Sequence, residues 1–309
     1  MKNIRRDIYY FLKPFIPRRL QIVIRRKIIA GQRLSYSNIW PVDEGAAKPP
    51  EGWAGWPDNR QFAVVLTHDV ETAIGHDKCR RLMKVEQDAG FRSSFNFVPE
   101  RYEVSADLRH HIVSSGFEVG VHDLNHDGKL YKSEKIFRER AARINHYLKE
   151  WNATGFRSGS MHRNLDWIHA LNIEYDASTF DADPCEPWSE GIKTIFPFIV
   201  TNEISGKYVE LPYTISQDFT LFVLMKEKNI DIWKRKLDWI AEHGGMALLT
   251  THPDYMNFDG KKLGIEEYPA EYYKNFLDYI KAEYDGKYWH VLPKDMACFW
   301  SNHAQRTRI

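Results

Sequence analysis

Cysteine is scarce: Cys79, Cys185 and Cys298 are odd in number, far apart and form no C-x-x-C pair. A disulfide framework is thereby excluded, and the three are expected to be packed thiols in a reducing compartment. No apolar run approaches the roughly 20 residues that a membrane-spanning helix needs, and no signal peptide with an apolar core and small-residue cleavage site is visible. The cytoplasm is therefore the expected location. An excess of one charge is also missing: 43 Lys and Arg face 42 Asp and Glu, for a net charge of +1. Nothing in that balance calls for a nucleic-acid partner along the chain. No internal repeat or low-complexity tract is present.

What the chain does have is length, since 309 residues suffice for one large barrel or two ordinary domains. Its first 35 residues carry ten Lys and Arg against the single acid Asp7. Apolar residues recur there at helical spacing (Ile8, Phe11, Leu12, Phe15, then Leu20, Val23, Ile24, Ile28), interrupted by Pro14 and Pro17. Residues 1–40 are thus expected to form a basic, amphipathic helical segment. Such helices either pack on a domain with their charges in water or lie on an anionic membrane, here its cytoplasmic face. Residues 41–60 hold four prolines, three glycines and Trp53 and Trp56, and are expected to be a linker wrapped onto the main domain. Residues 61–300 are expected to be one catalytic domain, and 301–309 a tail.

Within that domain short β-rich runs alternate with helical stretches, the pattern of parallel strands joined by crossover helices. The expected strands are Phe62 to Leu66, Ser94 to Val98, Phe117 to Val121, Thr154 to Arg157, Ile173 to Tyr175, Tyr208 to Leu211, Met246 to Thr250 and Trp289 to Leu292. Helical periodicity appears at Ile136, Ala141, Ile144 and Leu148, and again at Ile232, Trp233, Leu237 and Ile240. The number of strands suits an α/β fold of the closed-barrel kind.

In a parallel barrel the carboxyl ends of the strands converge on one face and build the site. Reactive side chains cluster there: Asp69 and Glu71 after the first strand, His122 and His126 after the third, Arg157 at the fourth, Asp176 after the fifth, and His252 beyond Thr250. With 13 histidines in the chain, the spacing His122-x-x-x-His126 alone is weak. On a helical turn, however, residues four apart face the same way, so both rings could reach one cation. Two histidines and a carboxylate would leave positions open for water and a substrate oxygen, as hydrolytic metal sites require.

These residues fall in five ordered motifs, Leu66-Thr67-His68-Asp69-Val70-Glu71, His122-Asp123-Leu124-Asn125-His126-Asp127-Gly128, Gly155-Phe156-Arg157, Tyr175-Asp176-Ala177-Ser178 and Leu249-Thr250-Thr251-His252-Pro253-Asp254. In that order and separation, from about Phe62 to Pro293, the chain resembles the polysaccharide deacetylases (carbohydrate esterase family four). The resemblance implies a distorted (β/α)7-8 barrel, a divalent metal, usually zinc, and hydrolysis of the acetamido group of an N-acetylated carbohydrate. By resemblance Glu71, His122 and His126 hold the metal and Asp69 is the general base, although Asp69 would be the ligand if Glu71 points elsewhere. Arg157 resembles the arginine that holds the base, His252 the general acid, and Asp176 the carboxylate that orients it.

Many relatives have two adjacent aspartates where this chain has Asp69-Val70, and often a proline where it has Gly159. His68 is either a substrate contact or a neighbour packed beneath the base, and Tyr102, Trp188 and Tyr213 are candidates for stacking on sugar rings. Fold and metal site do not fix the substrate. A same-fold hydrolase of another C–N amide bond and a noncatalytic glycan-binding protein therefore stay open, as does a membrane-attached scaffold built around the basic amino terminus. The lack of a visible export signal favours a biosynthetic precursor over finished wall polymer as substrate.

Overall fold

The structure is a computed structural model that describes residues 16–36, 38–186, 191–202, 206–260 and 262–306. The expected first helix around Ile8 to Phe15, and Trp188, lie outside the described residues.

Phe62–Val70 (β1) is the axis of the fold and is buried along its whole length. Its apolar first half, Phe62 to Leu66, seats it in the core. Its polar second half is tolerated because each side chain there finds a buried partner, without which a buried polar group is costly. One edge of β1 pairs in parallel with Met246–Thr251 (β8). The other edge pairs first with Tyr288–His290 (β11) and then with Ser94–Phe97 (β2). The sheet continues through Glu118–His122 (β3), Gly155–Arg157 (β4) and Tyr175–Asp176 (β5) to Gly206–Glu210 (β7). Phe198–Asn202 (β6) completes the nine strands by pairing antiparallel with β7. This outer strand departs from the expected all-parallel pattern. It is only half-buried and adds a hairpin to the edge, outside the βα alternation.

Closure comes from the chain just after β7. There Tyr213 N donates to Thr179 O at 2.9 Å, and Thr214 N donates to Leu248 O at 3.1 Å. Isolated parallel bridges join Phe180 to Tyr213 and Ile215 to Leu249. The sheet thus curls back onto β8, and the molecule is an α/β barrel of distorted shape, drawn shut at one seam by a few bonds.

Helices cover the outside. Ala73–Ala89 (α1) begins at the Thr72 cap and stops where Gly90 takes a left-handed φ of 83°. Ala106–Ser114 (α2) follows β2. Glu134–Trp151 (α3) buries Phe137, Ala141, Ile144 and Leu148, the apolar stripe readable in the sequence. Asp231–Glu242 (α4) buries Trp233, Leu237 and Ile240, while Glu271–Tyr284 (α5) and Pro293–Arg306 (α6) complete the shell. Residues 41–60 lie against the barrel: Trp56 donates its Nε1 to Gly244 O at 2.8 Å, and Trp53 stacks among Trp56, Phe196 and Trp300.

The amino-terminal helix Arg18–Gln32 (αN) buries Gln21, Ile22 and Ile29, whereas Leu20, Val23 and Ile28 of its apolar stripe are 49%, 39% and 51% exposed. The cysteine expectation needs correcting, since Cys79 is buried, Cys185 half-buried and Cys298 exposed, all as free thiols.

Candidate metal centre and cleft

Side chains alternate along β1, so Thr67 and Asp69 face one way and His68 the other. The His68 ring bonds Thr251 Oγ1 at 2.7 Å and Glu86 Oε1 at 2.9 Å, and is fully buried. It therefore packs beneath the base and does not reach the cleft. Asp69 Oδ1 accepts from Asn96 Nδ2 at 3.0 Å and from Arg157 Nη1 at 3.2 Å, while Oδ2 lies 3.9 Å from His122 Nε2. Asn96 reaches Asp69 because residue 120 on β3 is glycine; a Cβ there would sit 2.2 Å from Asn96 Oδ1. Arg157 is fixed in turn by donating to Ala177 O at 2.8 Å and Thr67 Oγ1 at 2.9 Å. Burial would raise the Asp69 carboxyl, but Arg157, His122 and His252 hold it down at about 2.

His122 ends β3. Its Nδ1 faces the Arg157 carbonyl oxygen at 3.1 Å. A carbonyl only accepts, so the hydrogen sits on Nδ1 and Nε2 presents a lone pair. That Nε2 is buried with no hydrogen-bond partner among the described residues. Burial keeps the ring neutral, down to about 4 against the pull of Asp69, which is the form that binds a cation.

The expected helical turn between His122 and His126 is absent. Instead the chain bends, with Asp123 at φ 55° and His126 at φ 52°, and brings the two ring centroids to 4.9 Å. Left-handed backbone at non-glycine residues is strained and occurs where the surroundings impose it. Gly159 supplies part of that constraint: a Cβ there would lie 2.6 Å from Asp123 Oδ2 and 2.9 Å from His126 Cδ2. A glycine at position 159 is thus what the His126 ring requires.

His126 Nε2 lies 3.2 Å from Glu71 Oε1, and Tyr255 donates its hydroxyl to Glu71 Oε2 at 2.8 Å. The ligand atoms of Glu71, His122 and His126 all lie within 4.8 Å of one another. Two imidazoles and a carboxylate at that spacing, with one unpaired buried nitrogen among them, fit a divalent ion such as zinc. One contact must yield for it. The exposed Arg101 now donates Nη1 to His126 Nδ1 at 3.1 Å, and ligation through Nε2 would return the hydrogen to Nδ1.

The orienting partner of His252 is Asp218, not Asp176. His252 Nδ1 donates to Asp218 Oδ1 at 2.7 Å, and His252 N donates to Asp218 Oδ2 at 2.8 Å. Tyr268 completes the cradle by donating its hydroxyl to Oδ2 at 2.9 Å. Burial opposes a charged ring, but Asp218 with Glu71 and Asp69 raises His252 to about 10. Asp176 is directed elsewhere: it accepts from Ser178 Oγ at 2.6 Å and pairs in register with Glu210, where burial raises both carboxyls. Of the aromatic candidates, Tyr213 is 1% exposed and donates to Asp183 and Glu186, and Tyr102 spends its hydroxyl on Val70 O. Neither hydroxyl is free for a sugar, and the Tyr213 ring is enclosed.

Several contributors were not foreseen. Asn96 was discoverable, as a polar residue between Phe95 and Phe97 on a strand, whose alternation puts it on the opposite face from both rings. Tyr255 follows the fifth motif by three residues from His252. Asp218 stands 34 residues from His252 and carries no local signal.

The strand ends of the barrel thus gather two histidines, a carboxylate, a braced aspartate and a third histidine. No family model matches this sequence, and no curated protein matches it. Solved structures do. A protein of Mycobacterium smegmatis described as a polysaccharide deacetylase superposes with a TM-score of 0.61 at 20% identity, over 84% of this chain and 96% of that one. A protein of Pseudomonas aeruginosa PAO1 with the same description gives 0.60 at 16% identity, over 80% and 93%. An allantoinase gives 0.62 at 16% identity, over 82% and 94%. The chain has the polysaccharide deacetylase-like fold.

Proposed function

We propose that this chain is a metal-dependent hydrolase that removes acetyl groups from N-acetylated sugars. The observation that carries this reading is the buried, unpaired His122 Nε2 beside Glu71 and His126, with Asp69 next to it and His252 on the neighbouring strand end. The deacetylase-like fold supports it.

An acetamide is a poor electrophile, so its hydrolysis needs an activated water, a polarised carbonyl and a proton for the departing nitrogen. A divalent ion held by Glu71, His122 and His126 would supply Lewis acidity to the water and the carbonyl oxygen. Asp69, kept ionised by Arg157 and Asn96, takes the proton from water. With Nδ1 committed to Asp218, His252 offers its Nε2 proton to the leaving amine. Arg157 and Asp218 touch no substrate in this scheme; each fixes the orientation and charge of the group that does.

Acetate release from chitooligosaccharides by zinc-loaded protein tests the proposal, with Asp69→Asn and His252→Ala expected to lose about a hundredfold or more in kcat. The allantoinase likeness favours one other reading, opening of a cyclic amide or ureide. Turnover of allantoin with no acetate from any acetylated sugar would select that reading. Stoichiometric metal with turnover of neither class would select glycan binding without catalysis.

A further inference from the structure

The helix αN presents two unlike faces. Its inner face is tied down by Ile22 and Ile29, by the Arg18–Glu266 ion pair at 2.6 Å, and by Arg26, which donates to Val223 O at 2.9 Å and Ile265 O at 2.7 Å. On the opposite side Leu20, Val23 and Ile28 stand 49%, 39% and 51% exposed, with Ala30 exposed and Ile24 half-exposed. At about 100° per residue these positions share one face, and Lys27 lies in its middle with Arg19 at its border. The helix carries five basic residues and no acid. Beside it the segment that accepts from Arg26 exposes two more large apolar side chains, Leu263 at 44% and Ile265 at 37%. These flank a surface groove of about 510 Å³ that is also lined by Arg26, Lys226 and Lys228 and by Glu227 and Glu267.

We infer that this outward face of αN docks on an anionic lipid bilayer, with the helix lying in the plane of the surface. An apolar stripe on a helix whose charged residues are all cations is complementary to acyl chains beneath negative headgroups, and the long stem of Lys27 lets its ammonium reach the headgroup level. A second copy of the chain fits less well. Two-fold self-pairing would bring the Arg19 and Lys27 of one copy against the same cations of the other. No described helix is long and apolar enough to cross a membrane.

The barrel-facing side of αN lies close to the candidate metal centre. Arg25 of αN lies 5.1 Å over the Phe219 ring, Phe219 packs 4.7 Å from Tyr255, and Tyr255 bonds Glu71. The docking inference does not depend on the proposed chemistry, and its test reads binding only.

Flotation of the full chain with vesicles of pure phosphatidylcholine, and with vesicles of equal parts phosphatidylcholine and phosphatidylglycerol, is the experiment. The full chain is expected to float with the anionic vesicles, much less with the neutral ones, and to be released by salt. Lys27→Glu should lower partitioning by about fivefold or more, and a Leu20→Ser, Val23→Ser, Ile28→Ser triple variant by about tenfold or more. These positions are exposed, so the variants should keep wild-type circular dichroism. Failure of the wild type to float with anionic vesicles would overturn the inference, as would a triple variant that floats like the wild type. So would light scattering that shows a wild-type dimer that the triple substitution dissolves, without vesicle binding.

Discussion

At the scale of single residues the account turns on which carboxylate serves His252. Asp218→Asn keeps the shape of the cradle but removes the anion that raises the ring. The folded-state pKa of His252 then falls, the acid form is lost at lower pH, and the basic limb of the kcat/KM profile should move down. The rate at its optimum is expected to fall by about a hundredfold. Asp176→Asn, whose side chain bonds Ser178, should leave that basic limb in place. Equal shifts in both variants would contradict the assignment.

Gly159→Ala makes a second prediction. Its new Cβ must displace Asp123 or the His126 ring, and zinc affinity measured by competition with a chelator should fall about tenfold or more. The residues gathered at the candidate metal centre were legible in the sequence because strand ends advertise them: an apolar run, then an abrupt His or Asp. Asp218 was illegible because its meeting with His252 depends on how two loops 34 residues apart come together at the barrel mouth.

Among elements, the end of β1 decides the site's geometry, and it is braced from β8. Asp254 accepts from Glu71 N at 3.0 Å and from the Thr72 hydroxyl, which links the loops after the two strands. Asp254→Ala leaves the Glu71 amide without its partner, which should cost about 1–3 kcal/mol in urea denaturation. It should also weaken metal binding, since Glu71 would lose its fixed approach. An unchanged unfolding midpoint would mean that solvent replaces the brace. The strands around this point were readable as short apolar runs, although β1 extends to Val70 and β5 comprises only Tyr175–Asp176. β6 was missed despite its β-branched Ile199, Val200 and Thr201, because a hairpin does not fit the alternation of strand and helix that organised the rest. The stripe on αN was legible as a pattern, but the pattern could not say which side faces the barrel. Arg18 and Arg26, by finding acceptors on residues 223 and 265–266, turned the apolar side outward.

For the whole molecule, metal binding and folding would be linked, because the three candidate ligands come from the ends of β1 and β3 and meet only in the native state. An ion at about a hundred times its dissociation constant adds about 2.7 kcal/mol to stability. Zinc should therefore raise the melting temperature of the wild type, and a chelator should reverse the rise. The barrel was legible in the number of strands, but the few bonds that close it, through Thr179, Tyr213, Thr214 and Leu248, follow no local pattern.

The most direct test of the account is the metal content of the purified protein by elemental analysis, comparing wild type with folded His122→Ala and His126→Ala variants. The account predicts close to one divalent ion per wild-type chain and loss of it in both variants. A wild-type protein that holds no metal under replete conditions, or variants that retain it, would contradict the assignment of this cluster.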